Sequence, residues 1–465
     1  MEKDNNRGQW GSNFGFLMAA VGSAVGLGNL WGFPYKMGAG GGFAFLLLYL
    51  VLVVFVGYVI LNTELALGRK TGTGVLGAYK AVSEKYAVVG WMGAIAPFLI
   101  IGFYSLLGGY CIKYAVANFG DIFGASWGVG GEDGVGYFVA LFENRFESSI
   151  YTIIFLALAL IVVQAGVSKG IEKFTKIAMP ALFFMLIIVI IRSVTLPGAA
   201  EGLAFMFKPD FSVFQGTGWI TVLSSAGGQM FFTLSLGMGI MVAYGSYLPK
   251  NENINKNAMI IPAADTIIAI MAGMAIMPAV ASAGQEYGAG PGLLFMTLQT
   301  IFNGMGGAGA IFGFIFYLLV FIAAITSAIS LLEAIVSIPV DKHLKSTGVN
   351  KRKQYTWIIG IAAMIEGIII ALDGLGTYLP PMFGRFCWLD GFDLIAEGIL
   401  MPLGAFLTAV IFGWIRKDFV VDEIASSSEF KSKNFYIFCL KYIAPIMMLF
   451  VLMGQINSFF GLGWF

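Results

Sequence analysis

Long apolar runs constrain the fold of this chain more than any other feature of its sequence. Eleven runs lie between charged or turn-forming clusters, and each has at least about 18 residues, enough to cross a bilayer as a helix. Their approximate bounds are 14–36, 43–68, 89–119, 149–166, 173–194, 215–248, 258–283, 309–341, 354–372, 388–414 and 434–457. A shorter glycine-rich apolar stretch, 291–306, predicts a helix lying on the surface. The pattern predicts an all-α polytopic membrane protein.

The composition supports this class and excludes several others. Hydrophobic residues make up 58% of the chain and charged residues 11%, whereas soluble domains carry about 25% charged residues. A soluble enzyme, a disulfide scaffold and a nucleic-acid binder are therefore excluded. The 3 cysteines and 1 histidine show no metal-ligand spacing. Two GxGxxG matches, at 72–77 and 304–309, follow no predicted strand, and a GxxxxGK[ST] phosphate loop is absent, which excludes a nucleotide-driven pump.

The distribution of charge predicts the orientation in the membrane. If the N-terminus is cytoplasmic, most Lys and Arg residues lie in cytoplasmic segments, as the positive-inside rule requires. The outer loops are acidic, with Asp121, Asp133, Glu143 and Glu147 among their residues. The odd number of spans then places the C-terminus outside. The polar first residues do not resemble a signal peptide.

Two spans contain sequences that break a helix at mid-membrane depth. The first span carries GSAVGLGNLWGFP at 22–34, and the sixth carries TLSLGMG at 233–239. Each glycine weakens a helix by about 1 kcal/mol, and broken backbone is tolerated in a membrane only inside protein or along a cavity. The alternative is that these glycines allow close packing between helices rather than a break. Because the breaks are five spans apart, we predict one domain, 1–465, with two inverted five-helix halves at 14–194 and 215–414, followed by helix 434–457.

Five motifs resemble signatures of the neurotransmitter:sodium symporter family and occur in the family's order. They are Trp10 with 22–34, 62–69 (NTELALGR), 168–180 (SKGIEKFTKIAMP), 229–239 (QMFFTLSLGMG) and 326–330 (TSAIS). The chain is similar to bacterial members with eleven spans. The resemblance implies a multi-pass protein of the bacterial inner membrane that takes up an amino acid together with Na⁺ by alternating access. A sodium-dependent receptor, or a channel-like protein without concentrative transport, is the alternative. No oligomeric state is predicted.

The resemblance also implies two sodium sites. The first consists of the carbonyl of Ala24 and the side chains of Asn29, Thr233 and Asp265, with the substrate carboxylate as a further ligand. Oxygen ligands of these kinds suit a hard cation. The second site is formed by three carbonyls and two hydroxyls, those of Gly22, Val25, Ala323, Thr326 and Ser327. For the two hydroxyls, hydrogen bonds to the preceding helical turn are the alternative.

Asp265 and Glu64 lie within apolar spans, where an ionisable side chain usually has a function. Many family members have asparagine in place of Asp265 and need chloride nearby, but Ala269, one turn on, provides no chloride ligand. We therefore predict that Asp265 ligates Na⁺ and that chloride is not required. A structural ion pair is the alternative. By resemblance, Glu64 is predicted to support the unwound part of the first span through hydrogen bonds.

The resemblance indicates an α-amino acid as the substrate. Gly26 occupies the position at which monoamine-type relatives carry an aspartate. The implied carboxylate ligands are the amides of Leu27 and Gly28 and the hydroxyl of Tyr104. The ammonium group would contact carbonyls, and the side chain an apolar pocket. The carbonyls belong to Ala24, Phe232, Thr233 and Ser235, and the pocket consists of Ile100, Phe232, Met238 and Leu331. This pocket favours tyrosine or tryptophan, followed by leucine.

The family closes both ends of the pathway with ion pairs, and only the inner pair is matched here. The inner residues are Arg7 and Asp341, braced by Trp10 and Tyr247. At the outer end Asp393 matches the acidic partner, but Gly32 stands in place of the arginine. Arg385 is a candidate replacement, and Phe232 with Tyr104 would form an aromatic lid. In the fifth span, the stretch between Gly170 and Pro180 is predicted to unwind during inward release.

Overall fold

The computed structural model describes residues 7–131, 133–288 and 292–464. Within these ranges the regular structure is helical, and the one pairing between extended segments is an isolated bridge from Met382 to Phe386. The all-α prediction is confirmed.

Eighteen helices follow one another along the described chain. In chain order they are α1 (Asn13–Ala24), α2 (Gly28–Ala39), α3 (Phe43–Thr71), α4 (Val75–Val82), α5 (Glu84–Ile122), α6 (Gly134–Glu143), α7 (Arg145–Gln164), α8 (Val167–Val194), α9 (Ala199–Phe207), α10 (Gly218–Thr233), α11 (Ile240–Gly245), α12 (Ile254–Ser282), α13 (Leu293–Gly304), α14 (Gly307–Thr347), α15 (Arg352–Asp373), α16 (Trp388–Ile415), α17 (Lys417–Ala425) and α18 (Lys433–Phe460). A 3₁₀ turn, Ser212–Phe214, precedes α10.

Nine of these helices in the described ranges are long and apolar enough to cross a membrane. They are α3, α5, α7, α8, α12, α14, α15, α16 and α18. The bent pair α1 and α2 gives up to 10 spans. The sixth predicted span consists of α10 and α11, which have 16 and 6 residues and are each too short to span alone. Eleven spans, the inverted repeat and the orientation of the termini therefore stay predictions.

The helix break in the first span is confirmed. At the start of α1, the Ser12 side chain accepts a hydrogen bond from the Gly15 amide at 3.0 Å, an N-cap that satisfies one free amide. The helix ends at Ala24, because Val25 is extended with φ −81° and ψ 98°. The chain resumes as α2 with a wide π turn at Gly28–Gly32, and the two helices meet at 46°.

The break in the sixth span depends on backbone that glycine adopts readily. Ser235, Gly237 and Gly239 have φ values of 55°, 74° and 70°, in the left-handed region. A Cβ atom on Gly237 would lie 2.5 Å from the Met401 carbonyl oxygen, and one on Gly239 2.8 Å from that of Gly93. These two glycines therefore allow the chain to turn where neighbouring helices approach closely.

Both breaks lie inside the helical bundle. Residues 22–30 and 233–245 are buried, and α5 and α14 pack against each other beside them. Apolar side chains point outward from peripheral helices, such as Ile177 and Phe184 on α8 and Ile361 and Ile365 on α15. An exposed apolar surface of this kind suits lipid. The arrangement matches the rule that irregular backbone at membrane depth is enclosed by protein.

The observed helices are often longer than the apolar runs that predicted them. For example, α14 continues from Gly307 to Thr347 although its apolar run ends at 341, because polar residues are also good helix formers. The surface helix predicted at 291–306 is α13, whose inner face is buried through residues such as Leu294 and Leu298. Residue 291 lies outside the described residues.

Candidate functional site

The two helix breaks face each other at the centre of the bundle. The hydroxyl oxygens of Ser23 and Ser235 are 3.2 Å apart. Gln229, on α10, donates from its side-chain amide to the carbonyl of Gly28 at 2.7 Å. Carbonyls and amides that would otherwise continue the two helices are therefore available to a ligand between them.

The four protein oxygens predicted for the first sodium site meet at the hydroxyl of Thr233. Its Oγ1 is 2.9 Å from Oδ1 of Asn29, 2.9 Å from Oδ1 of Asp265 and 3.3 Å from the carbonyl oxygen of Ala24. The side chains of Asn29 and Asp265 are fully buried. One carboxylate among three neutral oxygens is a donor set that suits an alkali cation. No cluster of His, Cys, Asp and Glu suited to a metal ion occurs in the described ranges.

Asp265 has hydrogen-bonding neighbours but no basic partner among the ion pairs of the described residues. The Asn29 amide donates to its Oδ1 at 2.7 Å, and the Tyr49 hydroxyl donates to Oδ2 at 3.1 Å. Among the described residues, Asp265 therefore does not form the structural ion pair that was the alternative to sodium binding. Sequence reasoning missed Tyr49, since an isolated tyrosine in an apolar run gives no sign of its partner.

The residues predicted for the second sodium site lie where α14 passes the end of α1. The hydroxyl of Ser327 is 3.0 Å from the carbonyl oxygen of Ser23 and 3.4 Å from that of Gly22. Thr326 instead donates to the Ala323 carbonyl of its own helix at 2.9 Å. The sequence left open that both hydroxyls bond to the preceding helical turn. Thr326 does so, whereas Ser327 contacts the end of α1.

A small cavity of about 20 Å³ lies between the breaks, α5 and α14. Most residues predicted for the substrate line it: Ala24, Gly28, Ile100, Tyr104, Phe232, Thr233, Ser235, Met238 and Leu331. Leu27 contributes through its amide, which donates to the hydroxyl of Tyr104 at 3.0 Å. Four further residues line the cavity: Gly26, already noted as the position without an aspartate, Ser327, predicted for the second sodium site, and Ser23 and Ile240, which sequence reasoning missed. The volume suits about one water molecule, so a larger ligand requires the walls to move.

Gly26 lies close to two hydroxyl groups that line this cavity. A Cβ atom built on it would be 2.4 Å from the hydroxyl oxygen of Ser327 and 2.5 Å from that of Tyr104. Any side chain at this position would push the two hydroxyls apart. The structure therefore supports the interpretation that the chain itself provides no carboxylate here.

The contact predicted for Glu64 is wrong. We expected its carboxyl group to support the unwound part of the first span, but its Oε1 accepts a hydrogen bond from the amide of Gly237, 2.9 Å away, in the break of the sixth span. The side chain is buried. Both breaks interrupt a helix and contain glycine, so the sequence could not indicate which of them Glu64 faces.

The predicted inner ion pair is present. Arg7 pairs with Asp341 and also donates to the hydroxyl of Ser246 at 2.8 Å. Its guanidinium lies 4.3 Å from the centre of the Tyr247 ring, a cation–π contact. The indole of Trp10 packs edge-on against Tyr247.

A second buried ion pair, which sequence reasoning missed, lies behind the first. Tyr247 donates from its hydroxyl to Glu333 at 2.7 Å. Glu333 also pairs with Arg352 at the start of α15. The two ion pairs, together with Ser246 and Tyr247, connect four segments of the chain at this end of the bundle.

The opposite end opens into a vestibule of about 400 Å³. Phe232 lines both the vestibule and the central cavity, as expected of a lid, whereas Tyr104 lines the cavity alone. Asp393 lines the vestibule together with Gly32. A Cβ atom on Gly32 would lie 2.8 Å from Oε1 of Gln229, so the site of the missing arginine is filled by a neighbouring amide.

The outer ion pair is formed by residues that we did not predict. Lys36 Nζ lies 3.1 Å from Glu397 Oε1 across the vestibule. Arg385, our candidate replacement, instead donates to the carbonyl of Phe460 at 2.9 Å. Lys36 is four residues after Gly32, and Glu397 is four residues after Asp393, so the pair lies about one helical turn along. This four-residue spacing is the sequence feature from which the pair could have been predicted.

The segment predicted to unwind is helical in this structure. Gly170 lies in a π turn, Val167–Glu172, at the start of α8, and a Cβ atom on it would be 2.1 Å from the Val162 carbonyl oxygen. Glu172 accepts hydrogen bonds from the amide of Gly11 at 2.6 Å and from the hydroxyl of Ser12 at 3.0 Å. This contact between α8 and the start of the chain was missed, and the unwinding itself stays a prediction.

The fold and this site define a class of protein: a helical membrane transporter in which two discontinuous helices enclose a buried cluster of oxygen atoms. Comparison with known proteins identifies the family. The sequence profile of the Sodium:neurotransmitter symporter family matches residues 7–128 and 143–464, and the chain belongs to this family. Its members are transporters rather than enzymes, and they use sodium.

Similar proteins support the assignment to this family. An uncharacterized sodium-dependent transporter of Bacillus subtilis, YhdH, is 36% identical over 97% of this chain and 98% of its own length. An uncharacterized sodium-dependent transporter of Haemophilus influenzae is 31% identical over 97% of this chain and 99% of its own length. The crystal structure of MhsT in complex with L-phenylalanine has a TM-score of 0.85 and 35% identity, and it covers 97% of this chain and 100% of that one.

Proposed function

We propose that this protein is a sodium-coupled, chloride-independent symporter of large hydrophobic or aromatic α-amino acids, with tyrosine or tryptophan favoured and leucine next. The observation that carries the proposal is the convergence of Ala24, Asn29 and Asp265 on the hydroxyl of Thr233. A buried carboxylate without a basic partner is costly in a membrane interior, and a bound cation offsets that cost.

Two sodium ions accompany each substrate in this account. The first is held by the oxygens around Thr233, beside the cavity. The second is held between α1 and α14, where the carbonyls of Gly22, Val25 and Ala323 and the hydroxyls of Thr326 and Ser327 provide neutral oxygens. Neutral oxygens bind Na⁺ weakly enough for release. Thr326 would exchange its hydrogen bond to Ala323 for the ion, which its single rotatable hydroxyl allows.

The chloride independence rests on the charge of Asp265. With one carboxylate beside one cation, the first site is neutral without an additional anion. Ala269, one turn further along α12, is buried and has no group to bind chloride. The negative charge is therefore built into the chain.

The amino-acid substrate follows from the polar groups and the apolar walls. The amide of Gly28 and the hydroxyl of Tyr104 suit a carboxylate, and the carbonyls in the breaks suit an ammonium group. The side-chain part of the cavity is apolar, and Met238 between two glycines can adapt its shape. MhsT, the structurally similar protein, was crystallised with L-phenylalanine, which supports this substrate class.

Alternating access uses the ion pairs at the two ends. We assign the inner gate to Arg7 and Asp341 and the outer gate to Lys36 and Glu397, with Asp393 facing the same vestibule. The N-terminus then faces the cytoplasm and the C-terminus the outside of a bacterial inner membrane. The alternative, a receptor or channel-like protein, gains no support from the outer path, because an ion pair crosses it even though Gly32 replaces the arginine.

Uptake into proteoliposomes tests the proposal. Labelled tyrosine, tryptophan and leucine are supplied under an inward Na⁺ gradient or a matched K⁺ gradient, each with chloride or with gluconate. We expect accumulation that requires Na⁺, is unchanged without chloride and is greater for the two aromatic substrates. Sodium-dependent binding without accumulation would favour the receptor, and loss of uptake in gluconate would contradict the role of Asp265.

A further inference from the structure

A large apolar groove lies at the inner end of the bundle, beside the inner ion pair. It has a volume of about 700 Å³, against about 20 Å³ for the central cavity. Its walls come from α4, the start of α5, the end of α14 and the start of α15. Transport by the proposed mechanism uses none of its apolar residues.

The walls of the groove are mostly apolar. On α5, Trp91, Ile95 and Phe98 share one helical face, because they are spaced by four and three residues. Trp91 is 52% exposed and Ile95 44% exposed, on a helix that is long and apolar enough to span the membrane. Ile338 and Ile359 complete the opposite wall. An exposed tryptophan near the end of a spanning helix is typical of the membrane interface.

Three lysines form the rim of the groove at its polar end. Lys342 and Lys345 continue the face of α14 that carries Ile335 and Ile338, since the four are spaced by three, four and three residues. Both lysines are exposed, and neither takes part in an ion pair of the described residues. The third, Lys80 on α4, is 3.4 Å from Glu84, whose side chain is 81% exposed.

We propose that this groove binds an anionic phospholipid, with its phosphate on Lys342 and Lys345 and one acyl chain along Trp91, Ile95 and Phe98. Charge complementarity decides the occupant: the cationic rim lies at one end of an apolar slot, as in a headgroup joined to its chain. Basic pockets between membrane helices on the cytoplasmic side bind anionic headgroups in this way. The end with Arg7 is cytoplasmic in the proposed orientation.

The groove is adjacent to the inner gate. Asp341 and Gly74 both line it, and the amide of Gly74 donates to Oδ2 of Asp341 at 2.7 Å. The same carboxylate pairs with Arg7. A lipid seated here would hold α4 against α14 at the residue that closes the gate.

Fluorescence quenching by brominated lipids tests the site without relying on transport. The protein is reconstituted in phosphatidylcholine vesicles with about one fifth phosphatidylglycerol, and bromine is placed on the acyl chains of one lipid or the other. Subtracting the emission of a Trp91→Phe variant isolates the signal of Trp91. We expect brominated phosphatidylglycerol to bind beside Trp91 and quench it with a preference of about 25-fold over brominated phosphatidylcholine. Each of the two unpaired lysines contributes roughly fivefold to the binding of an anionic lipid.

Charge-matched variants provide the control. Combined Lys80→Gln, Lys342→Gln and Lys345→Gln substitutions should remove the preference. Three exposed lysines outside the groove, Lys169, Lys173 and Lys256, are replaced by Gln in the control, which should keep it. Equal quenching by the two lipids in the unmodified protein would overturn the proposal, as would an equal loss in both triple variants.

Discussion

Replacing Asp265 by asparagine removes one charge from the first sodium site and leaves its shape nearly unchanged. The carboxylate oxygen is 2.9 Å from Oγ1 of Thr233, so an ion held between them would be about 2.5 Å from each, as hard-cation ligands are. With an effective dielectric constant near 20, the attraction between the two charges is about 7 kcal/mol. Much of this is offset, because the variant no longer buries a carboxylate.

The substitution should therefore cost about 2–4 kcal/mol of the free energy of Na⁺ binding, as expected when a buried, hydrogen-bonded charge is removed. The Na⁺ concentration for half-maximal binding of labelled amino acid should therefore rise about 30-fold to 1000-fold in Asp265→Asn. Added chloride should not restore it, because Ala269 remains. The assay is equilibrium binding of labelled tyrosine to purified protein at increasing Na⁺ concentration.

Glu366→Gln provides a matched control for this experiment. Glu366 is another buried acid within a spanning helix, and it packs against Gly102 rather than against the sodium site. Its substitution should leave the Na⁺ dependence unchanged. A shift below threefold in Asp265→Asn, or an equal shift in Glu366→Gln, would refute the assignment of Asp265 as a sodium ligand.

Three further substitutions test the cavity, the segment expected to unwind and the outer gate. Gly26→Asp should abolish amino-acid binding, measured by the same assay, because its Cβ atom would lie within 2.5 Å of two hydroxyl oxygens; binding at the unmodified affinity would contradict the packing. Pro180→Ala should slow uptake about tenfold with little change in binding, since a regular helix without proline unwinds less readily; unchanged uptake would remove the segment from the mechanism. Lys36→Glu and Glu397→Lys should each reduce uptake severalfold, and the double exchange should restore most of it; additive losses would show that the pair is not a gate.

Local features of this molecule were predictable from its sequence. The glycines at 237 and 239 marked the second break because few other residues adopt φ values near 70°. Asp265 stood out because an acid is rare in an apolar run. The residues around the central cavity followed from the family resemblance, which places them on the two breaks and on α5 and α14.

Pairings between distant segments were not predictable in the same way. Nothing in the sequence near Glu64 shows that it faces Gly237. Lys36 and Glu397 are separated by 361 positions, and either could have faced solvent. Such contacts depend on how the helices pack, whereas hydrophobic periodicity and glycine content report only on the helix that contains them.

The measurement that tests the central claim most directly is the accumulation of tyrosine against a fixed Na⁺ gradient. Proteoliposomes are clamped at zero membrane potential with a tenfold inward Na⁺ gradient in chloride-free buffer, and the internal and external tyrosine concentrations are measured at steady state. Each coupled ion contributes about 1.4 kcal/mol under a tenfold gradient. Two ions therefore predict accumulation approaching about 100-fold. Equal concentrations on both sides would contradict sodium-coupled symport, and a limit near tenfold would remove the second ion from the account.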